Sequence, residues 1–485
     1  MTVLAYKVIP GDATIRGRRG AGWLAIVCLL AACAASGGVA AQPQNPKGEA
    51  GEKTTPAYAI YTTQDGDTLY DIAARYLTGP ADWVLLGHFN HVPAPRRMPA
   101  GIVLHLPASR LRQDWDATRV LATSGPVERE FRTGFNLPLH TGEMLIEGDR
   151  VLTGRNGFAT LHLPDGSHVV VSQESELSIE KLRHITLTGA TSWIFGLRHG
   201  EVEGRVTHAT RRSDLFQIHS PSVIAGVRGT HFSVGYDVAA QTTKVAVFEG
   251  AVGIDPLTPR GRSVPPVPGM PLDAAAQLVT ANFGNVTRAD DAIGSPVNLL
   301  PAPSLVRPAR LQEGQSVTFD VEPDEHAVGY HLLISHDARQ LEMVRDLRVS
   351  SAHAVFDDLP DDTYFVRIAS IDGNGLDGLP SVYAFERRQF GLAVSAVNCA
   401  ATGTYKFRWF VSRRDVSTRF RFILAASADL RDPLVDRTDL MGSELRIGNP
   451  PTGIYCWTAV ADRFENDRFY SKCSPLRSLT QAGHR

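Results

Sequence analysis

Three short stretches decide the fold: Glu147-Gly148-Asp149-Arg150-Val151-Leu152-Thr153-Gly154, Gly157-Phe158-Ala159-Thr160-Leu161-His162-Leu163-Pro164-Asp165-Gly166-Ser167, and Gly226-Val227-Arg228-Gly229-Thr230-His231-Phe232. Ala159, Leu161 and Leu163 fall on one face of a strand and Thr160 and His162 on the other, the alternation of a half-buried strand. Asp165-Gly166 supplies the positive-φ positions of a tight turn, so His168 to Val171 is expected to fold back on the preceding strand. The same hairpin device is read at Leu197 to Val206, with Gly200 and Gly204 around Val202, at Phe216 to Ile218, at Phe232 to Tyr236, and across Glu249-Gly250 between Val245 and Ile254. No interval between Thr118 and Ile254 sustains a helical period of apolar residues, which predicts an all-β module over residues 117–256.

These segments, taken in order from Val120-Leu121-Ala122-Thr123 to Val247-Phe248-Glu249-Gly250, resemble the FecR domain of bacterial cell envelopes. The resemblance implies an envelope location and, in the family's best-known members, relay of a periplasmic signal to a sigma factor through an N-terminal cytoplasmic segment. Here the region ahead of the module has a different character.

Working outward, the chain has 485 residues, enough for several domains, a formal net charge of −2, 21% charged and 43% hydrophobic residues. This describes ordered globular domains, and nothing in the charge balance calls for nucleic acid. Arg16 to Arg19 precedes the apolar run Ala21 to Ala35, too short for a span and suited to a signal peptide over residues 1–41. Leu30-Ala31-Ala32-Cys33 resembles a lipobox, which would lipidate Cys33; Val39-Ala40-Ala41 before Gln42 offers ordinary cleavage instead. Both leave an exported protein, periplasmic or associated with the outer membrane. Residues 42–56 read as a polar tether.

Residues 57–108 read strand, helix, helix, strand. Gly66-Asp67-Thr68-Leu69 turns into a helix with Thr68 and Asp71 as a capping box, and Leu69, Ile72, Ala73 and Tyr76 form one apolar face. Together with Asn90 and the ending Pro99-x-Gly101-x-x-Leu104-x-Leu106-Pro107, this resembles a LysM domain. The resemblance implies binding of N-acetylglucosamine-containing peptidoglycan in a shallow groove. Carried over, the groove has Gly66, Asp67, Thr68 and Leu69 on one side and Asn90, Met98, Pro99, Ala100 and Ile102 on the other. Loops with exposed backbone donors and a small apolar contact suit acetamido and hydroxyl groups. Against this, Asp67 and Thr68 would cap a helix in any protein and Leu69 would be core.

Residues 257–300 are rich in proline and read as linker, with a short helix as an option at Ala274 to Leu278. Beyond them Tyr330–Ser335 matches Phe420–Leu424, and Leu359–Val366 matches Asn449–Trp457, each offset by roughly ninety residues, an internal repeat. Residues 301–390 and 391–480 resemble fibronectin type III or related immunoglobulin-type sandwiches, which implies spacers or protein-contact surfaces. The expected architecture is therefore multidomain and mainly β: a small βααβ domain, an all-β FecR-like domain and two sandwiches.

Of five cysteines, Cys399, Cys456 and Cys473 lie in the last repeat. Export permits one disulfide, and the near-symmetry of Cys456 and Cys473 about Arg463 to Asp467 favours that pair.

Motifs for chemistry are lacking. His162 and His168 flank the Asp165-Gly166 turn and His208, His219 and His231 lie on neighbouring strands, without metal-ligand spacing. No nucleophile elbow or phosphate-cradling loop occurs. Glu174, Glu176 and Glu180, the carboxylates a glycan hydrolase would use, read as a solvated strand edge. The expectation is a non-catalytic, cofactor-free envelope protein that binds peptidoglycan and another envelope protein and touches membrane only through a lipid on Cys33. The alternatives are a FecR-type periplasmic regulator and a LysM-targeted peptidoglycan-remodelling enzyme.

Overall fold

A computed structural model describes residues 58–481 apart from 93–97, 208–210, 212, 258–274, 290, 308–310, 400–402, 413–416, 449 and 466–467. The signal-peptide and Cys33 expectations, the tether, His208 and Ala274 lie outside the described residues.

The N-terminal module pairs strand Tyr58–Thr62 antiparallel with Val103–Pro107, placing Ile60 opposite His105. Between them lie helices Leu69–Tyr76 and Trp83–Phe89. The first starts where Thr68 turns extended and its hydroxyl accepts the Asp71 N–H at 3.1 Å. The box is half formed, because the Asp71 carboxylate accepts from the Thr68 hydroxyl at 2.7 Å. Leu69, Ile72, Ala73, Leu77 and Leu86 pack with Leu104 and Leu106 into one core. Each buried leucine contributes roughly 2 kcal/mol of apolar transfer.

From Gln113–Trp115 to Val297–Asn298 the strands close into a barrel filled by residues such as Val151, Leu161, Val169, Leu177, Phe195 and Val234. The Asp165-Gly166 hairpin forms as expected: Gly166 has φ +88°, and Val169 stands opposite Leu161. Its second face is not solvated, however. Thr160 is 1% exposed, and its hydroxyl donates to the Leu341 carbonyl of the following sandwich at 2.5 Å.

Two further boundaries differ from the sequence reading. Gln277–Thr280 and Phe283–Arg288 are barrel strands, not linker: the first pairs with Ala251–Pro256 and the second with Thr242–Glu249. No helix forms at the described end of the Ala274–Leu278 option; residues 277 and 278 are strand. Leu197 to Val206 is likewise no hairpin but the end of one long strand, Thr191–Arg205, that leaves one sheet and enters the other. It bends at Gly200, which has φ +83°, and a Cβ there would lie 2.1 Å from the Ser175 hydroxyl, so only glycine fits.

Two sandwiches follow. The first sets a sheet that includes Gly329–Ser335, Asp362–Ile371 and Ser381–Arg387 against the pair Val317–Asp320 and His353–Phe356. The second sets Leu392–Cys399, Thr404–Val411 and Glu444–Gly448 against a sheet centred on Thr418–Ala425 and Gly453–Glu465. The repeat extends to detail. The Tyr364 hydroxyl donates to the Pro360 carbonyl at 3.1 Å, and the Tyr455 hydroxyl to the Pro451 carbonyl at 2.8 Å, the same corner in each unit. Trp409, Phe407, Phe422 and Trp457 fill the second core.

The Cys456–Cys473 disulfide does not form; both are free thiols. The hairpin closes between Glu465 and Arg468, so Cys473 stands opposite Val460. Cys456 is four residues further along that strand, about 13 Å away, beyond the reach of a disulfide.

Candidate functional site

In the N-terminal module the two expected groove loops do meet. Thr63, 3% exposed, donates its hydroxyl to the Pro99 carbonyl at 2.7 Å and accepts the Ile102 N–H at 2.9 Å, while the Met98 N–H reaches the Asp67 carbonyl at 3.0 Å. Gly66, Pro99 and Ala100 are exposed on this rim, with Thr68 and Ile102 half-buried.

Four of the nine groove residues serve the fold instead. Leu69 and Met98 are in the core. The Asp67 carboxylate accepts from the Tyr61 hydroxyl at 2.8 Å and from the Gln64 N–H at 2.7 Å. Burial, then Asp67, pushes the Tyr61 phenol up to about 12. Asn90 ties the second helix to the last strand, donating to the Leu86 and His105 carbonyls at 2.9 and 2.8 Å and accepting the His105 N–H at 2.6 Å. A short polar side chain beside a turn reads alike as a ligand contact or a staple; only its partners tell them apart. Asp67→Ala should therefore lower the module's stability by about 2 kcal/mol, since two bonds to one buried carboxylate are lost. An unchanged melting curve would refute the staple.

The most polar buried constellation lies elsewhere, where the barrel meets the first sandwich. Beyond Gly200 the side chains of Glu201 and Glu203 point outward while Val202 fills the barrel. Arg348 bridges from the sandwich, donating to Glu201 Oε2 and to Asp377 Oδ1, each at 2.7 Å. His331, 4% exposed, lies between Asp377 Oδ2 at 2.5 Å and Asp346 Oδ1 at 2.9 Å. Glu203 is held by Arg367 and by His231, whose Nε2 is 2.6 Å from Glu203 Oε1. The Arg367 guanidinium also lies 5.1 Å from the Phe248 ring centre.

Apolar contacts flank the charges: Phe158 and Val170 against Leu333 and Met343 on one side, Ala246 and Phe248 with Leu299 and Leu376 on the other. A cavity of about 470 Å³ opens beside the network, lined by residues including Glu201, Tyr236, Lys244, Arg348 and Asp377.

The electrostatics follow from the pairing. Burial opposes ionisation of Glu203, but Arg367 and the His231 hydrogen bond outweigh it and take the carboxyl down to about 2. Burial and Arg348 oppose the charge on His331, yet Asp377 and Asp346 hold it up to about 9. Asp377 is driven well below the usual carboxylate range by His331 and Arg348 against its burial. Burial holds Glu201 above it, with Arg348 opposing and Asp377 reinforcing.

Glu201, His331 and Asp377 bring ligand-type atoms within 4.8 Å of one another. Both imidazole nitrogens face carboxylates, and Arg348 bridges the two acids, so protein cations already stand where a metal ion would. What the network does is lock two domains together.

Sequence reasoning missed it because Glu201 and Arg348 are 147 residues apart and Glu203 and Arg367 164 apart. One signal was available: Arg367 stands inside the apolar run Val366-Arg367-Ile368-Ala369, where a lone charge needs a buried partner.

The FecR protein family model matches residues 149–253, the heart of the barrel. That stretch is a FecR domain within a multidomain β protein. No curated protein matches the chain. Among solved structures, a candidate anti-sigma factor from Parabacteroides distasonis is 17% identical over 31% of this chain, with a TM-score of 0.23, and the match spans 59% of that protein's length. A two-domain fibronectin type III segment of chicken tenascin is 12% identical over 37% of this chain and 97% of its own, with a TM-score of 0.20. The fibronectin(III)-like modules of Clostridium thermocellum CbhA are 11% identical over 38% of this chain and 99% of their own, at 0.18. Among the described residues no helix is long and apolar enough to cross a membrane.

Proposed function

We propose that this chain is a non-catalytic regulator of the bacterial envelope, in which the FecR domain and the first sandwich act as one receiving body and the βααβ module holds that body to peptidoglycan. The observation that carries the reading is the coincidence of the FecR match with the strand that presents Glu201 and Glu203 to the sandwich. A domain of a signalling family is thereby joined, through the buried Glu203–Arg367 pair and the part-exposed Glu201–Arg348 pair, to a domain type suited to protein contact, so a partner on the sandwich would bear directly on the barrel.

The partner is another envelope protein, met in the periplasm or at the outer membrane, and a lipid on Cys33 would supply membrane attachment. Glycan binding falls to the exposed rim of Gly66, Thr68, Pro99, Ala100 and Ile102. Ala100→Trp blocks this rim without touching the core, so it should reduce co-sedimentation with purified sacculi tenfold or more while leaving the melting temperature unchanged. Full retention by that variant removes the rim from the account. For regulation, deletion of the gene should alter envelope transcripts, and a copy carrying Arg367→Ala should fail to restore them. A null transcriptional effect on deletion would end the regulator reading, and a lytic band from the full chain on a sacculus gel would replace it with an enzyme.

A further inference from the structure

One row of outward-facing side chains crosses the barrel. Arg119 stands opposite His162, His162 opposite His168, His168 opposite Arg205, and Arg205 opposite His231. Their strand neighbours Val120, Leu161, Val169 and Phe232 are fully buried, so the row itself faces out. At about 4.8 Å per strand it spans about 19 Å. Within it the His162 and His168 rings lie 4.9 Å apart.

Two acids lie nearby, one of them paired within the row itself. Glu203 serves His231 and Arg367, and the Asp165 carboxylate accepts from Ser167 and Thr207. Among the described residues the guanidiniums of Arg119, Arg205 and Arg339 have no carboxylate partner; Arg205 reaches only His231 Nδ1, at 3.3 Å.

Arg339 comes from the sandwich. Its turn is fixed by the Asp337 carboxylate, which accepts the N–H groups of Arg339, Leu341 and Glu342, each at 2.8 Å. A cavity of about 320 Å³ lies between the turn and the row, lined by residues including His168, Arg205, His231 and Arg339 and by Glu203, whose charge is taken up by Arg367. Burial, then His162, Arg339 and Arg205, hold His168 below the usual imidazole range, with Asp165 opposing.

We propose that this cavity and row bind a phosphate-bearing polyanion, with one phosphate bridging Arg205 of the barrel and Arg339 of the sandwich and further groups running toward Arg119. Guanidinium forks match tetrahedral oxyanions in bidentate geometry. Two forks converging on one cavity suit a doubly charged group better than a single carboxylate, and the continuing row suits a chain of them. The inference does not depend on the regulatory reading.

The test uses the full chain with sodium tripolyphosphate in calorimetry at low salt and, separately, with phosphatidic acid vesicles in flotation. Wild type should bind at least one probe, more weakly as salt rises. Arg205→Gln and Arg339→Gln should each weaken binding tenfold or more, Arg339→Lys should restore part of it, and the His168 titration followed by NMR should move to higher pH on binding. Arg205 and Arg339 are exposed, so the variants are expected to fold. Binding of tripolyphosphate alone identifies a soluble ligand, and binding of vesicles as well identifies a lipid headgroup. Failure of both probes, undiminished binding by the glutamine variants, or a stationary His168 titration overturns the proposal.

Discussion

Arg367→Ala is expected to destabilise the barrel–sandwich joint by about 3–5 kcal/mol, the cost of leaving one member of a buried ion pair without its partner. Arg367 is 6% exposed, its guanidinium is bound to Glu203, and it stacks over Phe248. Truncation therefore removes a charge, a hydrogen bond and packing together. The barrel and the first sandwich should then melt as two separate transitions in calorimetry. The sharper result comes from replacing both partners. Glu203→Gln with Arg367→Met removes both the carboxylate and the guanidinium and keeps a hydrogen-bonding side chain opposite His231, so the double variant should recover much of what Arg367→Ala loses. A loss below about 1 kcal/mol for the single change would mean that solvent screens the pair, as at an exposed bridge.

The second large effect is alkaline. His331 is raised to about 9 in the folded chain, against about 6.5 unfolded. A raised histidine contributes stability that is fully present below about pH 6.5 and is lost as the pH climbs through 9; the difference corresponds to about 3 kcal/mol. Between pH 6 and pH 10 the urea midpoint of the wild type should therefore fall more than that of His331→Gln, which lacks the titrating group. The groups facing this imidazole are Asp346, Asp377, Arg348 and Glu201. Parallel pH profiles for the two proteins would show that His331 is not the charged keystone of the joint.

In the proposed reading the joint matters because it makes one body of two domains that could otherwise have been beads on a string. The Glu201–Arg348 and Glu203–Arg367 pairs, flanked by two apolar patches, hold the barrel to the sandwich.

Much of this protein follows from sequence alone because its causes are local. Asp165-Gly166 makes a turn wherever it sits, Thr68 caps the helix that Leu69, Ile72 and Ala73 define, and the recurring Pro-x-x-x-Tyr corner marks two copies of one sandwich. Period-two alternation likewise reveals that a strand has two faces. It does not reveal what covers the second, and here tertiary structure decided: the sandwich closes over Thr160, Gln277–Thr280 and Phe283–Arg288 join the barrel, and Cys473 meets Val460 rather than Cys456. The ion pairs of the joint belong to the same class. Partners some 150 residues apart carry no mutual signature along the chain, since Coulomb attraction and desolvation depend on distance in space, which only the folded arrangement sets.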